Sequence, residues 1–127
     1  MSAQPGLLLF AHGARDPNWA VPFEDVARRV RAARPGVPVE LAFLEFMAPD
    51  IATAGRSLAE AGCTAVAVVP LFLGAGGHVR KDLPVLVEQL RADHPRATWT
   101  LSPAVGELDP VIDAMARAAE AFLPHTP

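Results

Sequence analysis

The chain has 127 residues, 51% hydrophobic and 20% charged, with a formal net charge of −3. That length holds one domain with a real core, residues 1–127, and the balance is too apolar for a disordered chain. It lacks the basic footprint that nucleic acid requires, and no apolar run reaches membrane-spanning length, so no nucleic acid and no membrane is expected as a partner.

Leu7 to Ala11 is a short continuous apolar run, the pattern of a strand buried on both faces. From about Asn18 to Arg34, Phe23, Val26, Ala27 and Val30 fall at helical spacing, with Glu24–Arg28 and Asp25–Arg29 as i, i+4 pairs opposite. Pro35-Gly36 ends that helix, and Val37 to Phe43 predicts a second strand. Ile51, Ala54, Leu58 and Ala59 mark a second helix stopped at Gly62. Thr64 to Leu73, rich in valine, is the most strand-like run of all. Asp82 then offers an N-cap for a third helix, whose apolar face is Leu83, Leu86, Val87 and Leu90 and whose first turn tolerates Pro84. Ala97 to Leu101 predicts a fourth strand, and Asp109-Pro110, an N-cap followed by a first-turn proline, opens a last helix through about Phe122.

This β-α-β-α-β-α-β-α order with short connections predicts an α/β fold: a four-stranded, mostly parallel sheet with helices on both faces. The usual flavodoxin-like strand order for such a chain is 2-1-3-4, with its switch point between strands 1 and 3. His12 follows the first strand, Glu45 the second and His78 the third, so all three are expected at the carboxyl edge, where open α/β sheets bind their ligands.

Two histidines and a carboxylate in one cleft suit the handling of a divalent metal and of protons. Taken singly, each has a plainer reading. His12 would cap a strand end, His78 would be a loop histidine beside a flexible turn, and Glu45 would be a solvent-facing glutamate on a strand edge. The matching topological positions of the two histidines favour function for them, while for Glu45 the two readings stand level. The glycine-rich segment before Val79 also suits phosphate, but it has neither Gly-x-x-x-x-Gly-Lys-Ser/Thr nor Gly-x-Gly-x-x-Gly. Cys63 is the only cysteine, which excludes an internal disulfide and a cysteine-rich zinc site and leaves it a small buried apolar residue. No charged n-region with a following h-region opens the chain, so a soluble cytoplasmic protein is expected.

Three segments, His12-Gly13-Ala14-Arg15-Asp16-Pro17, Phe43-Leu44-Glu45-Phe46, and Pro70-Leu71-Phe72-Leu73 with Gly77-His78-Val79 and Asp82-Leu83-Pro84, resemble the small CbiX/SirB group of sirohydrochlorin chelatases. The likeness runs from about residue 7 to 92. It implies a chelatase fold and ATP-independent insertion of cobalt or iron into sirohydrochlorin, a step of cobalamin or siroheme biosynthesis. It also implies that His12 and His78 are the active-site histidines that meet the metal, with Glu45 as their acidic partner. The divalent ion (cobalt, iron or nickel) is substrate, and no cofactor is expected to stay bound. Gly74, Gly76 and Gly77 would admit the macrocycle, while Arg15, Arg80 or Lys81 would meet its peripheral carboxylates. Longer relatives contain two lobes facing one cleft, so a single lobe implies a homodimer. Two rival readings use the same features: a non-catalytic tetrapyrrole or metal carrier, and a flavodoxin-like phosphate or nucleotide binder.

Overall fold

The computed structural model describes residues 2–74 and 76–125, the His78 side chain excepted. Its elements alternate as β1 (Pro5–Ala11), α1 (Val21–Ala33), β2 (Val39–Phe43), α2 (Ile51–Glu60), β3 (Ala65–Pro70), α3 (Gly77–Asp93), β4 (Thr98–Leu101) and α4 (Asp109–Glu120), with 3₁₀ turns at Pro17–Ala20 and Val105–Glu107. The strands form one sheet in the order β2-β1-β3-β4, and every neighbouring pair is parallel. The expected order is therefore the observed one, with the switch point between β1 and β3.

Alternation along the strands divides the core in two. Leu8, Phe10, Val66, Val68 and Trp99 point to the face covered by α2 and α3, where they meet Ile51, Leu58, Val87 and Leu90. Leu9, Ala11, Leu41 and Phe43 point the other way, under α1 and its Ala27. Trp99 is fully buried and satisfies its indole N–H by donating to the His94 carbonyl at 3.1 Å, so it is a packing residue. Cys63 is buried, and desolvation pushes its thiol pKa up, which keeps it protonated. Both sheet edges carry an arginine donor: Arg31 Nη2 to the Val39 carbonyl at 2.7 Å on β2, and Arg91 Nη2 to the Trp99 carbonyl at 2.7 Å on β4.

Several boundaries depart from the sequence reading; β3 ends at Pro70, short of Leu73, and three others have a clear cause. β2 begins at Val39, because Pro38 has no N–H to give to a ladder. The last helix takes Leu108 as N-cap, so Asp109 is a first-turn residue. The largest difference is α3, which begins at Gly77 with Gly76 as its cap. Asp82 is thus interior to the helix, and Pro84 lies well inside it. The cause is tertiary: Val79 continues the Leu83–Leu86–Leu90 stripe one turn further back and packs on the same core, which outweighs the poor helix propensity of the glycine. His78 consequently sits in a helical first turn and not in a loop.

α4 buries none of its residues. Ile112 and Met115 on it, and Phe122 and Leu123 just beyond it, are exposed. On the α1-side face of β3 and β4, Ala65, Ala67 and Val69 are half-buried and Thr98 and Thr100 exposed, with Val69 packed at the margin of the cluster under α1.

Candidate active site

β1 leaves the sheet after Ala11, yet its pairing with the second strand continues for two residues. The Leu44 N–H donates to the Ala11 carbonyl at 2.9 Å, and the Glu45 N–H to the His12 carbonyl at 3.2 Å. Backbone bonds therefore hold Glu45 beside His12. Gly13 makes this approach possible: it adopts φ +89°, and a Cβ there would stand 1.9 Å from the Glu45 carbonyl oxygen. No other residue type fits so close a turn.

The side chains meet as their backbones do. His12 Nδ1 lies 3.8 Å from Glu45 Oε1, and each side chain is about half exposed. This is too long for a hydrogen bond. An imidazole nitrogen and a carboxylate oxygen side by side are donor types that would hold a divalent ion. The His12 ring sits edge-on to Phe72, centroids 6.2 Å apart, and Phe72 in turn packs edge-on against Phe10 at 6.0 Å. His12 and Glu45 open onto a cavity of about 370 Å³ whose other walls are Phe10, Leu44 and, from α3, Val79, Asp82, Leu83 and Leu86. An apolar pocket with a few convergent polar groups is the usual form of a small-molecule site. A larger groove of about 950 Å³ runs along α1 and the edge strand β2, but no histidine lines it. Chemistry, not size, selects the smaller one.

The other sequence-predicted residues are distributed unevenly around this cavity. The backbone of His78 lies in the first turn of α3, at the carboxyl edge, while its side chain lies outside the described residues. Arg15 follows on the His12 turn, and its guanidinium stacks over the Phe46 ring, 4.6 Å from the centroid. Arg80 is directed elsewhere: it bonds Glu107 at 3.4 Å and lines a separate cavity of about 240 Å³ with Leu101, Ser102 and Pro103. Lys81 is exposed on α3 and lines neither cavity. Gly74, Gly76 and Gly77 have open space where a Cβ would be, as an approach for a bulky ligand requires. Among the described residues no three histidine, cysteine or acidic side chains are grouped to hold a metal ion.

Two residues of this neighbourhood escaped the sequence reading. Asp82 reads as a helix cap, and becomes a cavity residue only because α3 starts a turn earlier. Its signal was its place one helical turn after His78. Phe46 reads as one more apolar residue. It is instead exposed and adopts φ +66°, a conformation that costs a bulky residue about 1–3 kcal/mol. Nothing in the residue type announces that.

Most of the chain, the stretch from His12 to Asp82 included, matches known proteins. The family model described as CbiX matches residues 6–121. A sirohydrochlorin cobaltochelatase of Sulfolobus acidocaldarius is 30% identical over 118 residues, 93% of this chain and 92% of the relative. Another, from Sulfurisphaera tokodaii, is 33% identical over 89 residues, 68% of this chain and 70% of the relative. Among solved structures, a CbiX protein of Marinobacter aquaeolei VT8 superposes with a TM-score of 0.80 at 30% identity, covering 92% of this chain and 95% of that one. The sirohydrochlorin chelatase SirB of Bacillus subtilis subspecies spizizenii, solved with cobalt, superposes with a TM-score of 0.81 at 23% identity. It shares the fold, and this chain spans 51% of its length.

Proposed function

The chain belongs to the CbiX family, and from that premise we propose that it inserts a divalent metal, cobalt or iron, into sirohydrochlorin without ATP. The observation that carries this reading is the His12–Glu45 pair, 3.8 Å apart at the mouth of a largely apolar cavity on the sheet's carboxyl edge. Insertion removes two protons from pyrrole nitrogens and brings a partly dehydrated ion to the ring. A neutral imidazole is able to hold the ion or to take a proton, and a carboxylate beside it either orients the ring or takes the second proton. We assign these tasks to His12 and Glu45, with His78 as the second histidine. Phe10, Leu44, Leu83 and Leu86 supply a wall that lowers the local dielectric around the exchange. The metal is substrate, and no resident cofactor is part of the proposal.

Incubating the protein anaerobically with sirohydrochlorin and each of Co²⁺, Fe²⁺ and Ni²⁺, followed by absorbance, tests the reading. Acceleration over the uncatalysed rate that disappears in His12→Ala supports it. Tetrapyrrole binding without acceleration would make the protein a carrier instead.

The working form we propose is a cytoplasmic homodimer. One lobe presents a shallow edge, whereas a flat macrocycle needs two walls to be shielded from water. The exposed apolar side chains of α4 and the half-buried α1-side face of β3 support a second copy, since each presents apolar surface for the other to cover. A buried, reduced Cys63 accords with a cytoplasmic setting. Sedimentation at micromolar concentration checks the dimer, and a fully active monomer would refute it.

A further inference from the structure

We infer that Phe46 is a positioning residue for substrate recognition: its ring holds the Arg15 guanidinium ready to receive a peripheral carboxylate of the macrocycle. The inference rests on the chelatase reading for the identity of the ligand, and on three observations for the role.

The first is the backbone. Phe46 is the one non-glycine residue with positive φ among those described, at +66°. Strained residues persist where their surroundings over-determine them, and they concentrate at ligand sites. The second is that the fold gains little from the ring, which is 56% exposed. The third is what the ring touches: the Arg15 guanidinium, 4.6 Å from its centroid. Arg15 and Phe46 are each next to the site in sequence, three residues after His12 and one after Glu45.

Arg15 differs in its pairing from five of the chain's ten arginines. Arg28 and Arg29 share Asp25, Arg80 meets Glu107, Arg91 meets Glu88 and Arg117 meets Asp113. No described carboxylate pairs with Arg15. Its nearest acidic neighbour in sequence, Asp16, is engaged in capping the turn at Asn18. Stacking on an aromatic face restrains a guanidinium without using its N–H groups, which lie in its own plane and match a carboxylate two by two. The result is a preorganised receptor for one carboxylate beside the His12–Glu45 cavity.

The test is equilibrium binding of sirohydrochlorin, by fluorescence quenching, to the full chain and its Phe46→Gly, Phe46→Tyr, Arg15→Ala and Phe46→Gly/Arg15→Ala variants. Glycine suits the left-handed backbone, so Phe46→Gly removes the ring without adding strain and should not lower the melting temperature. Its Kd should rise about two- to fivefold, the range of an exposed cation–π contact. Phe46→Tyr should bind like the parent, because its ring remains. In the Arg15→Ala background the glycine change should have no further effect, since the ring acts through the guanidinium. Equal losses in both backgrounds would overturn the inference and make the ring itself a substrate contact. An unchanged Kd for Phe46→Gly would also overturn it, as would loss of the dimer in that variant. A parent protein that binds the tetrapyrrole but does not speed insertion would refute the chelatase reading alone, with the Phe46 effect still read in Kd. No binding by the parent would refute both.

Discussion

Gly13→Ala puts the geometry of the proposed active site to its strictest test, because it leaves every proposed chemical group in place. A Cβ at this position falls 1.9 Å from the Glu45 carbonyl oxygen, and the residue is held at φ +89°. An alanine in left-handed space costs about 1–2 kcal/mol. Relieving the overlap also requires the His12 turn and the Glu45 backbone to separate by roughly 1 Å, which strains the 3.2 Å bond from the Glu45 N–H to the His12 carbonyl. Losing that bond costs about a further 1 kcal/mol. The expected destabilisation is about 2–3 kcal/mol, or a melting temperature lower by roughly 10 °C for a chain of this size. The effect on turnover is larger in proportion, since a displacement of about 1 Å between working groups costs on the order of 100-fold. Thermal denaturation and the insertion assay on the same preparation measure both. A Gly13→Ala protein with parental stability and parental rate would show that His12 and Glu45 need not be held together as described.

Glu45→Gln keeps the size of a half-exposed side chain and removes its charge, so insertion should fall at least tenfold while the melting temperature moves little; an unchanged rate would remove Glu45 from the chemistry. Asp50 caps α2 by accepting the Thr53 N–H at 2.8 Å, and that bond holds its carboxyl below the ordinary aspartate range. Its stabilisation is therefore fully present above about pH 4 and is lost as the pH falls through the lowered value. Asp50→Ala should cost about 1 kcal/mol at neutral pH, a difference that narrows on acidification; a pH-independent difference in denaturation midpoints would contradict the capping role. Gly106→Ala should destabilise the β3–α3 connection, since a Cβ there would stand 2.0 Å from the Leu73 carbonyl oxygen, and limited proteolysis across residues 71–77 should accelerate. An equally resistant loop would show that Leu73 yields without consequence.

The alternation of apolar runs with helical stripes determined the βα order, and with it the parallel sheet and the strand order, because each of those signals is local. Continuous apolar runs such as Leu8–Ala11, buried throughout, are what a strand covered on both faces needs, and the connections are too short for most other windings. The same local logic placed His12 and Glu45 just past their strands, and the 2-1-3-4 order then made them neighbours. The start of α3 was not local. Gly76-Gly77 argues for a loop, and only the packing of Val79 on the core extends the helix back to Gly77 and turns Asp82 from a cap into a wall of the cavity. Arg80 and Arg15 are equally basic and lie two and three residues after a site histidine, yet one is drawn to Glu107 and the other to Phe46. Which partner an arginine finds depends on elements far apart in the chain, as does the left-handed backbone of Phe46. Residue types and their periods specify elements; the distances between side chains on different elements exist only once the sheet has assembled them.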